Sequence, residues 1–182
     1  MQRIIRPVQQ NELVTSLEFV EKVFTQSEDA ESGKLVRSLL QEIRSKRYYL
    51  PELDLVMVDE HGEIVGQALF SRFHLDGKYE DSMLLLTPVS VKTELQRQHI
   101  SKDLIEHGLA LGKKLGYKFC IVEGNPQNYR SRGFVTSAPY GITAHESVGL
   151  PAPECLMVQE LVEGGLEGIS GQLCYHFYEA LR

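Results

Sequence analysis

Residues Leu84 to Leu115 read LLLTPVSVKTELQRQHISKDLIEHGLALGKKL, and their reading decides the fold. The opening run Leu84 to Val91 is short, apolar and rich in β-branched residues. It predicts a buried strand, with Pro88 bending it and interrupting its ladder. After a polar turn, Ile100, Leu104, Ile105, Leu109, Leu111 and Leu115 recur at close to 3.6 residues, the period of a helix with one buried face. The stretch is therefore strand, turn, helix.

A turn feeding a helix N-terminus offers backbone N–H groups that no helical carbonyl satisfies, at the mildly positive end of the helix dipole. Such an end binds anions. Between positions 92 and 102 the chain carries Lys92, Arg97 and Lys102 against Glu94, a locally basic turn in a chain of formal net charge −6. The same pattern is also what a solvated turn looks like, so the wording of the turn matters.

Gln96-Arg97-Gln98-His99-Ile100-Ser101 resembles the Q/R-x-x-G-x-G/A signature of the acetyl-CoA-dependent N-acyltransferase superfamily (GNAT), preceded by an L-x-P-V-x-V strand similar to the family's. His99 stands where the middle Gly is expected, and Ser101 at the last Gly/Ala position. A Gly would let phosphate approach the backbone without a Cβ in the way. His99 therefore either obstructs the phosphate or donates a hydrogen bond to it. Farther on, Glu123-Gly124-Asn125-Pro126-Gln127-Asn128-Tyr129-Arg130-Ser131-Arg132-Gly133-Phe134 resembles the second family signature. Tyr129, Gly133 and Phe134 fall in place, and Ser131-Arg132 replaces Arg-Phe. The two motifs stand in the family's order, and residues 3 to 162 can be laid on its pattern.

The resemblance implies an α+β fold, a mixed and mostly antiparallel sheet flanked by helices, with acetyl-CoA as cosubstrate. It implies that the turn amides of Gln96, Arg97, Gln98, His99, Ile100 and Ser101 hold the pyrophosphate. The pantetheine would pair like an added strand along Val89, Ser90 and Val91, where a backbone amide serves the oxyanion. Asn125 and Tyr129 would complete the cofactor side, with the Tyr129 hydroxyl near the sulfur as proton donor. A neutral phenol suits a general acid, although an aromatic that only packs the short helix on the sheet reads the same. Glu123, at the end of the strand beside the slot, is the candidate base, relaying an amine proton through water; a solvated strand-end carboxylate is the plain alternative. The implied activity is transfer of acetyl to a primary amine of a small molecule or peptide by direct attack. A non-catalytic acyl-CoA-binding module or sensor is the alternative.

Composition narrows the partners. The length, 182 residues with 42% hydrophobic and 24% charged, suits one globular domain, here 1–182 with 163–182 as a C-terminal tail. Net negative charge argues against general nucleic-acid binding, which needs a basic face, and favours a cationic acceptor. No apolar run has signal-peptide or membrane-spanning character, so no membrane partner is expected. Cys120, Cys155 and Cys174 show no C-x-x-C spacing and no His at metal-ligand spacing, so neither a metal nor a full disulfide framework is predicted. A reducing, cytoplasmic setting is expected. Oligomeric state is left open, a homodimer included.

Along the rest of the chain, Gln2 to Val8 predicts a strand. Asn11 predicts the cap of a helix with Leu13, Leu17, Val20 and Phe24 on one stripe, and a second helix follows with Leu35, Val36, Leu39, Leu40 and Ile43. The basic Arg44, Lys46 and Arg47 at its end read as solvated dipole compensation. Asp54 to Asp59 and Glu63 to Phe73 form a hairpin about Glu60-His61-Gly62, with Gly66 marking a bulge, and Asp76-Gly77-Lys78 is a turn. Gly116 caps the central helix and Tyr117 to Glu123 is the next strand. Cys155 to Val162 is the last strand, with loops from Val135 to Pro153. The Gly-rich 164–171 matches no phosphate loop and reads as a flexible connector. His74 and His107 read as surface residues, and His145 and Glu146 as exposed loop residues bordering the acceptor side. No Ser-His-Asp order is present, and Ser90 has no base partner.

Overall fold

The computed structural model describes residues 2–182. Its main sheet has seven strands in the order β1-β2-β3-β4-β5-β8-β6: β1 (Ile4–Pro7), β2 (Asp54–Val58), β3 (Ile64–Arg72), β4 (Met83–Val91), β5 (Phe119–Glu123), β6 (Val135–Thr136) and β8 (Leu156–Glu160). Every pairing is antiparallel except β4 with β5. The helices are α1 (Leu13–Ser27), α2 (Ala30–Ser45), α3 (Ile100–Lys114) and α4 (Pro126–Arg130). This is the predicted α+β architecture, and α3 is the crossover that a parallel pair requires.

Two apolar layers sandwich the sheet. On one face α1 and α2 bury Val20, Leu40 and Ile43 against Leu69, Leu85 and Ile121. On the other, α3 buries Ile100, Leu104 and Ile105 against Phe70, Leu84 and Val122. The alternation along β4 sends Leu85 to one face and Leu84 and Leu86 to the other, as the two-residue period of a strand requires. Gly116, with φ +96°, closes α3. Its N–H reaches Lys113 O at 3.1 Å, and that of Tyr117 reaches Gly112 O at 3.1 Å, the paired bonds of a Schellman cap.

Several local expectations need correction. Asn11 does not cap α1: it lies inside a 3-10 turn, Gln10–Glu12, whose capping box is formed by Gln9 and Glu12. The α2 stripe is narrower than its hydrophobicity suggests, because Leu35 is exposed. Arg44 is not solvated. Its Nε donates to Asp54 Oδ2 at 2.8 Å, and Nη1 and Nη2 donate to Leu13 O and Ser16 Oγ. Asp54 is fully buried and also accepts from Tyr49 and Gln67, so its charge is paired and its oxygens are satisfied, as burial demands. The sheet bulge between β2 and β3 does fall beside Gly66, where pairing slips from Met57↔Gly66 to Val58↔Ile64.

The C-terminal part is more ordered than its composition predicts. Within the segment read as loop, β7 (Ile142–Ala144) pairs in parallel with β9 (Gly171–Leu173). Residues 164–171 are not a free connector: Leu166 is buried, and the following Leu173 and Tyr178 are fully buried in the same layer as α1 and α2. Among the described residues no helix is long and apolar enough to cross a membrane.

Candidate active site

The site begins at a fault in the sheet. Pairing of β4 with β3 passes from Phe70↔Leu86 to Ala68↔Val89, so Thr87 and Pro88 together face Leu69, a bulge on β4. Pairing of β4 with β5 stops at Leu86↔Val122. Beyond the bulge, Val89, Ser90 and Val91 keep β3 on one side and have no strand among the described residues on the other. That free edge opens a cleft of about 660 Å³. Ser90 is buried there, and its hydroxyl has no hydrogen-bond partner among the described residues, which suits a wall built to meet a polar ligand.

The turn into α3 supplies the far end of the cleft. Arg97 and His99 have φ of +65° and +63°, the left-handed region that Gly enters at least cost. His99 thus occupies a backbone conformation that explains why the family favours Gly at this place. Two left-handed residues in one turn, followed at once by the first turn of a helix, leave successive amides turned away from helical acceptors, as in an anion-binding nest. From Arg97 to Lys102 no backbone N–H donates to a protein acceptor among the described residues. Arg132 adds a cation: Nη2 donates to Ser101 Oγ at 2.7 Å, and the guanidinium also reaches the Asn128 carbonyl. Its Nε is buried with no partner among the described residues. A helix end with open amides, a free guanidinium donor and an adjoining strand edge fits a phosphate-bearing ligand with a long amide tail.

Of the predicted cofactor residues, Val89, Ser90, Val91, Gln96, Arg97, His99, Ile100, Ser101 and Tyr129 line this cleft. Two do not. The Gln98 side chain turns to the N-terminal strand and accepts from Arg3 Nη2 at 2.6 Å. Asn125 caps α4 by accepting from Gln127 N at 2.9 Å. Arg132 was not singled out from the sequence, although it stands inside the second motif where the family carries another residue. Phe24 and Ser27 of α1 also line the cleft, and nothing in their spacing marks them.

A second cleft of about 570 Å³ continues from the first, with Phe24, Val89, Asn128 and Tyr129 on the shared wall. Tyr129 therefore stands at the junction. Its ring lies edge-on to Phe134, 5.7 Å between centroids, and flush against Gly124, where a Cβ would come within 2.3 Å of it. Burial pushes its phenol above the usual tyrosine range, with Arg132 opposing the shift weakly. Glu123 lines the second cleft, and its Oε2 accepts from Tyr175 Oη at 3.1 Å. Burial, then the Glu123 charge, push the Tyr175 phenol well up. Tyr175 was missed because it lies in the tail, far from either motif. His145 and Glu146 border a different hollow, with Ile142 and Leu156.

Comparison with known proteins places this geometry. The family described as acetyltransferase (GNAT) domain matches residues 4–136. The uncharacterized N-acetyltransferase YhbS of Escherichia coli (strain K12) is 27% identical over 126 residues, covering 68% of this chain and 72% of the relative. The solved structure of YhbS from Escherichia coli in complex with CoA superposes with TM-score 0.82 at 22% identity, covering 98% and 92% of the two chains. A GNAT family acetyltransferase from Brucella melitensis, in complex with acetyl-CoA, gives 0.71 at 22% identity over 100% and 99%. Since the domain match takes in both the β4 edge and the α3 turn, the chain belongs to the GNAT acetyltransferase family.

Proposed function

We propose that the protein transfers acetyl from acetyl-CoA to a primary amine by direct attack, and that the acceptor is a cationic amine on an apolar body. The observation that carries the reading is the pair of clefts meeting at Tyr129, one ending in open amides and the other in a carboxylate. Acetyl-CoA is the cosubstrate, its phosphates held by the 97–102 amides and Arg132 and its amide tail by the β4 edge. The chemistry it supplies is an acyl thioester.

The second cleft sets the acceptor. Phe24, Val36, Leu39 and Leu181 give it apolar walls, Glu28 and Glu123 give it negative charge, and no Lys, Arg or His among the described residues lines it. An ammonium group is attracted there, whereas an acceptor carboxylate meets two like charges. The bound ammonium first releases one proton to solvent, giving the neutral amine that attacks, and Glu123 takes through water the proton that the amine sheds as the amide forms. Tyr129, a phenol and so protonated at neutral pH, with burial raising it further, supplies a proton to the departing sulfur. The new C–N bond thus replaces the C–S bond with no net change in protons held by the two residues once they re-equilibrate.

Thiol release measured with acetyl-CoA across a panel of amines tests the proposal. Diamines and arylalkylamines are expected to react at least about tenfold better in kcat/KM than amino acids of the same size, the discrimination that one unfavourable charge contact of about 1.4 kcal/mol gives. CoA binding without transfer to any amine makes the protein a binding module and sinks the enzymatic reading. Absence of any thermal shift with CoA sinks the whole reading.

A further inference from the structure

The fold brings His145 beside two metal-ligating side chains of the tail, Cys174 and His176, which lie 29 and 31 positions later in the sequence. One ligand atom each from His145, Cys174 and His176 lies within 4.8 Å of the others. We propose that these three residues bind a zinc-class divalent ion, and that the bound ion fixes Tyr175 in its contact with Glu123.

The backbone builds the site. β7 and β9 run parallel in register, Ile142↔Gly171 through Ala144↔Leu173, and the ladder extends one step further as His145 N donates to Leu173 O at 2.8 Å. The next residue on each chain is a ligand, His145 beside Cys174. His176 follows two positions later and brings its ring to 5.6 Å from that of His145. Register between two paired strands, rather than chance surface proximity, therefore sets the spacing.

Ligand chemistry selects the ion. Two imidazoles and a thiol suit zinc and other borderline-soft divalent ions, and offer little to magnesium or calcium, which require oxygen. His145 Nδ1 accepts the Ser147 backbone N–H at 3.1 Å, so it carries a lone pair, the form a metal needs. On binding, the metal takes over that lone pair. The Ser147 hydroxyl lies 2.8 Å from His145 Nδ1 and 3.7 Å from Cys174 Sγ. With bonds of about 2.0 Å to nitrogen or oxygen and 2.3 Å to sulfur, the corners of a tetrahedral site stand roughly 3.3 to 3.5 Å apart. The hydroxyl thus marks the fourth corner, for itself or for a water, and the three ligand atoms, within 4.8 Å of one another, need to close by at most about 1.5 Å. Binding releases the Cys174 thiol proton to solvent, and no other bond changes.

Tyr175 sits between two of the ligands in sequence, and its phenol donates to Glu123 Oε2. Holding Cys174 and His176 on one ion fixes the intervening backbone, and with it the wall of the second cleft.

The test is titration of the tag-free, reduced full chain with Zn²⁺ by calorimetry, and with Co²⁺ by absorption. Expected are one ion per chain at micromolar or tighter affinity and a thiolate-to-cobalt charge-transfer band. Cys174→Ser should abolish the band and weaken binding by at least about 100-fold, and His176→Ala should weaken it similarly. Cys155→Ser, a thiol outside the cluster, should change neither. Hydrogen exchange across 172–178 should slow with Zn²⁺ in the parent chain only. Absence of stoichiometric binding overturns the proposal, as does binding that survives Cys174→Ser unchanged. Unslowed exchange at full occupancy overturns the link to Tyr175.

Discussion

Tyr129 owes its position to its neighbours: Gly124 leaves room for the ring, Phe134 meets it edge-on, and burial raises the phenol above the usual tyrosine range. If the hydroxyl protonates the departing sulfur, Tyr129→Phe removes a contact made mainly in the transition state while the ring still packs. Steady-state kinetics should then show kcat lower by about 10²-fold with CoA affinity little changed. The sign with pH follows from the raised pKa. The parent holds its proton through the neutral range and loses rate only above the ordinary tyrosine value of about 10, a limb the variant should lack. Unchanged kcat would make Tyr129 a packing residue. His99 offers a test of stability. At φ +63° an L side chain costs roughly 1–2 kcal/mol, so His99→Gly should raise stability by about 1 kcal/mol in denaturant titration, after the added freedom of the unfolded chain is deducted. CoA affinity in the same variant separates the two readings of the imidazole: it tightens if the Cβ obstructs phosphate and weakens if the ring donates. The motif wording made His99 and Tyr129 visible in the sequence. Arg132 and Tyr175 were hidden, because their partners Ser101 and Glu123 are distant along the chain.

At the scale of elements, the seat of α3 on the sheet depends on absent side chains. A Cβ at Gly108 would come within 2.0 Å of the Phe70 ring, and one at Gly112 within 2.6 Å of Leu84. From the sheet side, a Cβ at Gly66 would meet Ile100 at 2.6 Å. The helix therefore lies close, and its N-terminal amides are delivered to the end of the β4 edge. Gly108→Ala should gain up to about 1 kcal/mol in helix propensity but lose about 1–3 kcal/mol to overpacking. The expected net is a fall in Tm, together with weaker CoA binding as the helix shifts. A rise in Tm would show that Phe70 moves aside freely. The helix itself was legible from its apolar period, and the hairpin from its turn residues. Gly108 and Gly112 carried no such message, because a glycine in a helical pattern takes its meaning from what it faces. The same holds for Arg44. Its neighbours in sequence are basic and suggest solvent, while its partner Asp54 opens the next strand.

The whole molecule is closed by its tail. Lys46 Nζ donates to Phe177 O at 2.6 Å, Glu42 accepts from the amides of Glu179 and Ala180, and Tyr178 is fully buried beside Phe73. None of this was legible in a Gly-rich sequence, since the anchoring residues are few and their partners lie more than 90 positions away. Around this closure stand one fully buried phenol, Tyr178, and two partly buried ones, Tyr49 and Tyr175. Burial is the first cause of the raised pKa at Tyr49, Tyr175 and Tyr178, with Asp54 and Glu123 adding to it at the first two. In the unfolded chain these groups ionise near pH 10, whereas in the folded chain they keep their protons. The unfolded state then binds fewer protons, so the stability these groups contribute is complete below pH 10 and is lost as pH rises from there toward the folded values. Each group steepens the decline by up to about 1.4 kcal/mol per pH unit. Thermal unfolding followed from pH 8 to 11 should show Tm level at first and then falling steeply above about pH 10. Tyr175→Phe should flatten that fall by about one proton's worth, and it leaves Glu123 without its phenol donor. An equal slope in the variant would mean that Tyr175 ionises in the folded protein as easily as in the unfolded one, and that the tail does not hold it against Glu123.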